Sequence, residues 1–135
     1  MRLISFTAIL FCPLLATAQL AVTVSPPKVT GQKAIVLLAM KNGFTEKVES
    51  ARAAVFLLDD QGKMNGQSTK WVIGGTKDRP GLPAGGTNTF NFVIAATKPF
   101  TTSNLTAKVM FNRVVLADGK LADVTKDVQI QPAPK

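Results

Sequence analysis

The stretch Arg52-Ala-Ala-Val-Phe-Leu-Leu-Asp-Asp-Gln-Gly-Lys63 decides the fold. Its six consecutive apolar residues, Ala53 to Leu58, are too many for a surface strand and suit a strand at the centre of a small domain. Asp59-Asp60-Gln61-Gly62 then supplies a reversal, because an Asp carboxylate bonds the backbone two residues on and Gly takes a positive φ without steric cost. The chain therefore turns back at Gly62. Upstream, residues 45–58 carry two competing periods. Val48, Ala51, Val55 and Leu58 sit at helical spacing, whereas Val48, Ser50, Arg52, Ala54, Phe56 and Leu58 share one face of a strand. The bulky ending and the hairpin-type turn decide for a strand. With Ala54, Phe56 and Leu58 pointing inward, Ala53, Val55 and Leu57 point outward, unless a β-bulge or a helical turn hides them.

The neighbouring segments repeat this grammar of an apolar run closed by Gly, Asn or Pro. Leu20 to Val24 alternates and stops at Ser25-Pro26-Pro27, which reads as a first strand at a sheet edge. Ala34 to Met40 is continuously apolar and ends at Lys41-Asn42-Gly43, the pattern of a buried strand. Met64 to Ile73 is the return strand after Gly62, with Thr69, Trp71 and Ile73 on one side. Gly74 to Gly86 holds five Gly and two Pro, a density that leaves only a long loop. Thr87 to Ala95 alternates with Phe90, Phe92 and Ile94 on one face. A hydroxyl-rich crossing, residues 97–104, leads to Leu105, Ala107, Val109 and Phe111, which point inward in a run that reaches Leu116. Asp118-Gly119 marks a hairpin, because a tight primed turn requires positive φ at both central positions. The last strand is read as Lys120 to Ile130.

Seven strands separated by turns define an all-β, immunoglobulin-like antiparallel β-sandwich over residues 19–131, followed by a Pro-rich tail at 132–135. Lys41-Asn42-Gly43 before Val48, the run Phe56 to Lys63, and Leu82-Pro83-Ala84-Gly85 ahead of Phe90-Asn91-Phe92 together resemble the small secreted bacterial Ig-like domains of the FxLYD type, which are fibronectin-like sandwiches. The resemblance covers about residues 34–94 and departs from that pattern in having no Tyr. It implies a non-catalytic extracytoplasmic module and transfers no site residues.

Residues 1–18 have the form of a signal peptide: Arg2, an apolar stretch from Leu3 to Leu15, and the small-x-small site Ala16-Thr17-Ala18, with cleavage before Gln19. Cys12, the single cysteine, falls inside this leader behind bulky Phe11, so lipid attachment and disulfides are not expected. An exported domain without thiols points to a bacterial periplasm, cell surface or exterior. No later segment is apolar enough to span a membrane as a helix. Without Arg2, 15 basic residues face 8 acidic ones. Lys28, Lys33, Lys41, Lys47, Lys70, Lys108, Lys120 and Lys126 are dispersed with few aromatics between them, which argues for a solvated surface and against nucleic acid.

Catalysis is the function class that the composition damages most. The chain has no His and no Tyr, so imidazole-dependent triads and most zinc sites are unavailable. No enzyme activity, metal or cofactor is expected. Asp59 and Asp60 lack a calcium ligand ladder and read as turn chemistry, while Asp123 and Asp127 read as charges blunting an exposed edge. Trp71 beside Lys70 and Thr69 is either core filler or a platform for a sugar ring. Lys77 and Arg79, in the long loop, are either anion ligands or partners of Asp78 in a plain connector. Val55 and Leu57, with Met110 and Val114 of a later strand, would form an outer apolar patch larger than soluble monomers normally expose. The expected function is therefore an exported module that binds another protein or itself through that patch. The alternative is a module for an acidic glycan or another anion, built on Trp71 or the loop from Lys77 to Arg79.

Overall fold

Apolar residues at alternate positions produce long strands throughout residues 19–133, the part of the chain that the computed structural model describes; the expected leader, with Cys12, lies outside it. The strands are β1 (Leu20–Val24), β2 (Lys28–Thr30), β3 (Lys33–Asn42), β4 (Val48–Leu58), β5 (Met64–Ile73), β6 (Thr87–Ala95), β7 (Thr106–Leu116) and β8 (Val128–Pro132). They form an all-β sandwich. One layer runs β6-β3-β1-β8, with β2 beside the first residues of β3, and the other runs β5-β4-β7. Every pair is antiparallel except β1 with β8, which is parallel. Pro26-Pro27 explains the eighth strand. It breaks one long partner of β3 into β1, facing Leu38 to Asn42, and β2, facing Lys33 to Ile35. So β1 is not at an edge, because β8 covers its other side.

The core lies between the layers, with Val22, Val36, Leu38, Ile94 and Phe92 facing Val48, Val55, Leu57 and Ile73. β3 alternates rather than being buried on both faces: Ala34, Val36, Leu38 and Met40 point in, while Ile35 and Leu37 are exposed.

The phase of β4 corrects the expected patch. Glu49 is an extra residue between the pairs Val48–Leu116 and Ser50–Val115, so the side chains after it change faces. Val48 points in, and after the bulge so do Ala51, Ala53, Val55 and Leu57. Val55 and Leu57 are 0% exposed, and so is Val114, because an extra Asn112 shifts β7 in the same way. Met110 alone of the four lies outside, at 51% exposed. A Lys at position 55 or 57 would bury an unpaired charge and disrupt the fold itself.

The turns follow their side-chain chemistry. The Asp59 carboxylate accepts from the N–H groups of Gln61 and Lys63 at 2.9 and 2.8 Å, and Gly62 takes φ 79°. Asp118 and Gly119 both have positive φ, 67° and 78°, as the hairpin requires. Beyond that hairpin the chain does not continue as one strand. It makes a single bridge, Val115 with Leu121, then turns at 123–127 and crosses to the other layer as β8. Asp123 and Asp127 build that turn. Asp123 accepts from the N–H and hydroxyl of Thr125 at 2.9 and 2.6 Å, and Asp127 accepts from the N–H of Asp123 at 2.9 Å. They are turn formers, not edge charges.

Asn42, at the end of β3, is fully buried and ties the two layers together. Its carboxamide donates to the carbonyls of Glu46 and Leu82, both at 2.9 Å, and accepts from the N–H of Phe44 at 2.8 Å. Its own backbone bonds Gly85 and Gly86. Leu82 in turn exchanges two backbone bonds with Val48 of the other layer. Asn42→Ala strands buried polar groups, and we expect a loss of roughly 3 kcal/mol in urea unfolding. Asn42→Asp should cost about as much, because a carboxylate cannot donate to two carbonyls.

Candidate functional site

The long loop brings Trp71 and Arg79 together and then uses both internally. Arg79 Nη1 donates to the carbonyls of Trp71 (2.8 Å) and Gly74 (3.2 Å), and its guanidinium lies 5.3 Å from the Phe90 ring centre. These bonds satisfy carbonyls at the end of β5 and leave the fork turned toward its own chain. Lys77 stays exposed. Trp71 is half-buried, with the Arg52 guanidinium 6.0 Å from its ring centre. Gly75, at φ 82°, backs directly onto the indole: a Cβ there would lie 2.5 Å from Trp71 Cγ. Gly75→Ala should displace the ring, red-shift the emission of the single tryptophan and cost about 1–3 kcal/mol in thermal or urea unfolding.

The Asp59, Asp123 and Asp127 carboxylates are engaged in turns, while Glu46 and Glu49 pair with Lys120 and Lys47. Among the described residues no three His, Cys, Asp or Glu side chains cluster to hold a metal ion. The Lys63 N–H chiefly holds the Asp59 carboxyl below its usual 3.8, and the Thr125 hydroxyl chiefly does so for Asp123. A lowered folded-state pKa contributes stability above the unfolded value and loses it as pH falls through the folded one. The melting temperature should therefore decline on acidification below about pH 4, and the double variant Asp59→Asn/Asp123→Asn should decline less steeply.

The open surfaces of the molecule are sheet faces and sheet edges. On the outer side of β5-β4-β7, Ala54, Phe56 and Leu58 take the place expected of Val55 and Leu57. Met110 lies beside Ala54, Lys108 beside Phe56, and Met64 beside Leu58. Met64 and Met110 are 50% and 51% exposed. An apolar strip is thus present, displaced by one residue from the expected one. Across the other layer runs a shallow trough of about 600 Å³ floored by small side chains, Ala21, Thr23, Ala39 and Thr89 among them.

The two long edges of the sandwich differ. On the β5–β6 side, Lys70 reaches across to donate to the Val93 carbonyl at 2.6 Å, with its ammonium 5.4 Å from the Phe92 ring centre. Phe100 fills the same side, packing beside Gly66 and Ile94. Among the described residues the β7–β8 side is open. A slot of about 550 Å³ separates Leu105, Ala107 and Val109 from Val24, Ile130 and Pro132. Ile130 and Pro132 pair with Val22 and Val24, so they share the inward face, yet Ile130 is 37% exposed. Four strands lie over three, so among the described residues β8 has no strand of β5-β4-β7 opposite it, and only its first residue, Val128, is buried. Reading 120–130 as one strand beside β7 concealed this slot. The signal that reveals it is the turn chemistry of Asp123-Val-Thr-Lys-Asp127 inside that run.

Fold and surface together define a two-layer β-sandwich whose accessible features are faces and edges. No protein-family model and no curated protein sequence matches the chain. A solved structure, that of a Bordetella pertussis protein provisionally named ApaA, is similar with a TM-score of 0.53 and 15% identity, over 78% of this chain and 87% of that one. That likeness concerns the fold alone. Among the described residues no helix is long and apolar enough to cross a membrane.

Proposed function

We propose that the chain is an exported, non-catalytic sandwich module of the Ig-like type that works by binding protein, either a different one or a second copy of itself. The observation that carries this reading is the apolar strip on the outside of β5-β4-β7, where Phe56, Leu58, Met64 and Met110 lie on neighbouring strands. Met64 and Met110, half exposed on the strands either side of β4, flank the partly buried Phe56 and Leu58 and offer adaptable contact area, because thioethers pack well against varied surfaces. Export is supported by the leader pattern of residues 1–18. The glycan or anion alternative has less support, since Arg79 is spent on the carbonyls of Trp71 and Gly74 and only Lys77 of that loop stands free of such bonds.

Chemical cross-linking of the exported fraction tests this reading. Wild-type protein should give a discrete cross-linked species, which the double variant Met64→Lys/Met110→Lys loses while keeping its melting temperature. An unchanged cross-linking pattern would sink the assignment of this face. Both side chains are half exposed, so the variant should fold normally.

A further inference from the structure

The open slot is a second surface, and its chemistry is narrower than that of the outer strip. β7 ends its sheet, and among the described residues its outer side has no ladder partner before Val114. That edge presents a row of backbone donors and acceptors for another strand. Directly across from it, Ile130 and Pro132 show solvent a face that belongs to the core. An occupant must satisfy both features at once. It must bring backbone groups in extended form, and apolar side chains at alternate positions to fill the gap between the layers.

We propose that the slot accepts an extended segment of another polypeptide, which adds to β7 as a fourth strand of its layer and covers Ile130. This deepens the protein-binding reading and rests on it. A folded second copy does not fit, because β8 overhangs the β7 edge by one strand and would meet the incoming layer; a single strand slides in above it. The slot-facing length, Leu105 to Val109, takes a strand of about five residues, or about 17 Å. The lining contains no acidic side chain and one Lys, Lys108, and Lys28 follows the lining residue Pro27 in the chain. Six of the eight acids, Glu46, Glu49, Asp78, Asp118, Asp123 and Asp127, belong to the opposite end, where β3 stops and β4 begins. The segment is therefore apolar on one face and acidic at its flanks.

Fluorescence polarisation with a labelled synthetic nonapeptide, alternating valine and threonine between terminal glutamates, tests the proposal on the purified protein. Binding is expected. N-methylation of alternate residues along one peptide edge should weaken it about tenfold or more, while methylation along the other edge leaves it intact, because only one edge pairs with β7. Replacing the terminal glutamates by lysines should weaken it several-fold, more so at low salt. Ile130→Asp, at a position already exposed, should abolish it with the melting temperature retained. No binding, equal tolerance of both methylated peptides, or indifference to Ile130→Asp overturns the proposal. So does a peptide-free dimer that Ile130→Asp dissociates, since that assigns the slot to a second copy. Cross-links lost in Met64→Lys/Met110→Lys alongside absent peptide binding would keep the wider reading and reject the slot alone.

Discussion

A single buried carboxamide sets the geometry on which the rest of the sandwich depends. Asn42 closes β3, holds the turn into β4 through Phe44 and Glu46, and holds the loop between β5 and β6 through Leu82 and Gly85. Leu82 is simultaneously paired with Val48. One side chain thus fixes how the strands of one layer hand over to the other. Both of its N–H groups and its oxygen are used, which is what makes a polar group tolerable at zero exposure. The same cluster positions β4, and through it the faces that Phe56 and Met110 present to solvent.

Inserted residues then decide what those faces contain. Glu49 in β4 and Asn112 in β7 each add one residue to a ladder, and each moves every later side chain to the other side. They sit near one another on neighbouring strands, so the two phase changes keep Val55 and Leu57 in register with Val109 and Ala107 inside the core. Without them the small and large residues of the run Ala53 to Leu58 would be exchanged between the core and the surface. Ala53 faces the core and Ala54 the other side of the sheet, yet both are buried, at 0% and 8% exposed, which shows how evenly that run is balanced.

Most of the fold was legible because turn chemistry is local. Asp59 to Gly62, Asp118-Gly119 and the clean alternation of Thr87 to Ala95 each announce their conformation within a few residues. β5 and β6 begin and end where the pattern places them. Side-chain facing in β4 was misread because Ala53 to Leu58 is apolar at every position, so its phase is set upstream by the bulge at Glu49, where the polar pair Glu49-Ser50 interrupts the alternation. The partner of β8 was hidden for another reason: which layer a strand joins depends on contacts between residues about a hundred apart, such as Leu20 with Val128. The Trp71 and Arg79 region was half legible. The loop was evident, but the inward turn of the guanidinium depends on where the carbonyls of Trp71 and Gly74 end up.

The parallel pairing of β1 with β8 carries a mechanical meaning. Leu20 lies beside Val128 and Val24 beside Pro132, so the described chain enters at one pole of the sandwich and leaves at the other. Tension applied to Gln19 and Ala133 would slide two strands lengthwise past each other and load all their hydrogen bonds together instead of peeling them one by one. A domain strung between two anchors in this way resists force along its long axis far better than it resists being torn from the side.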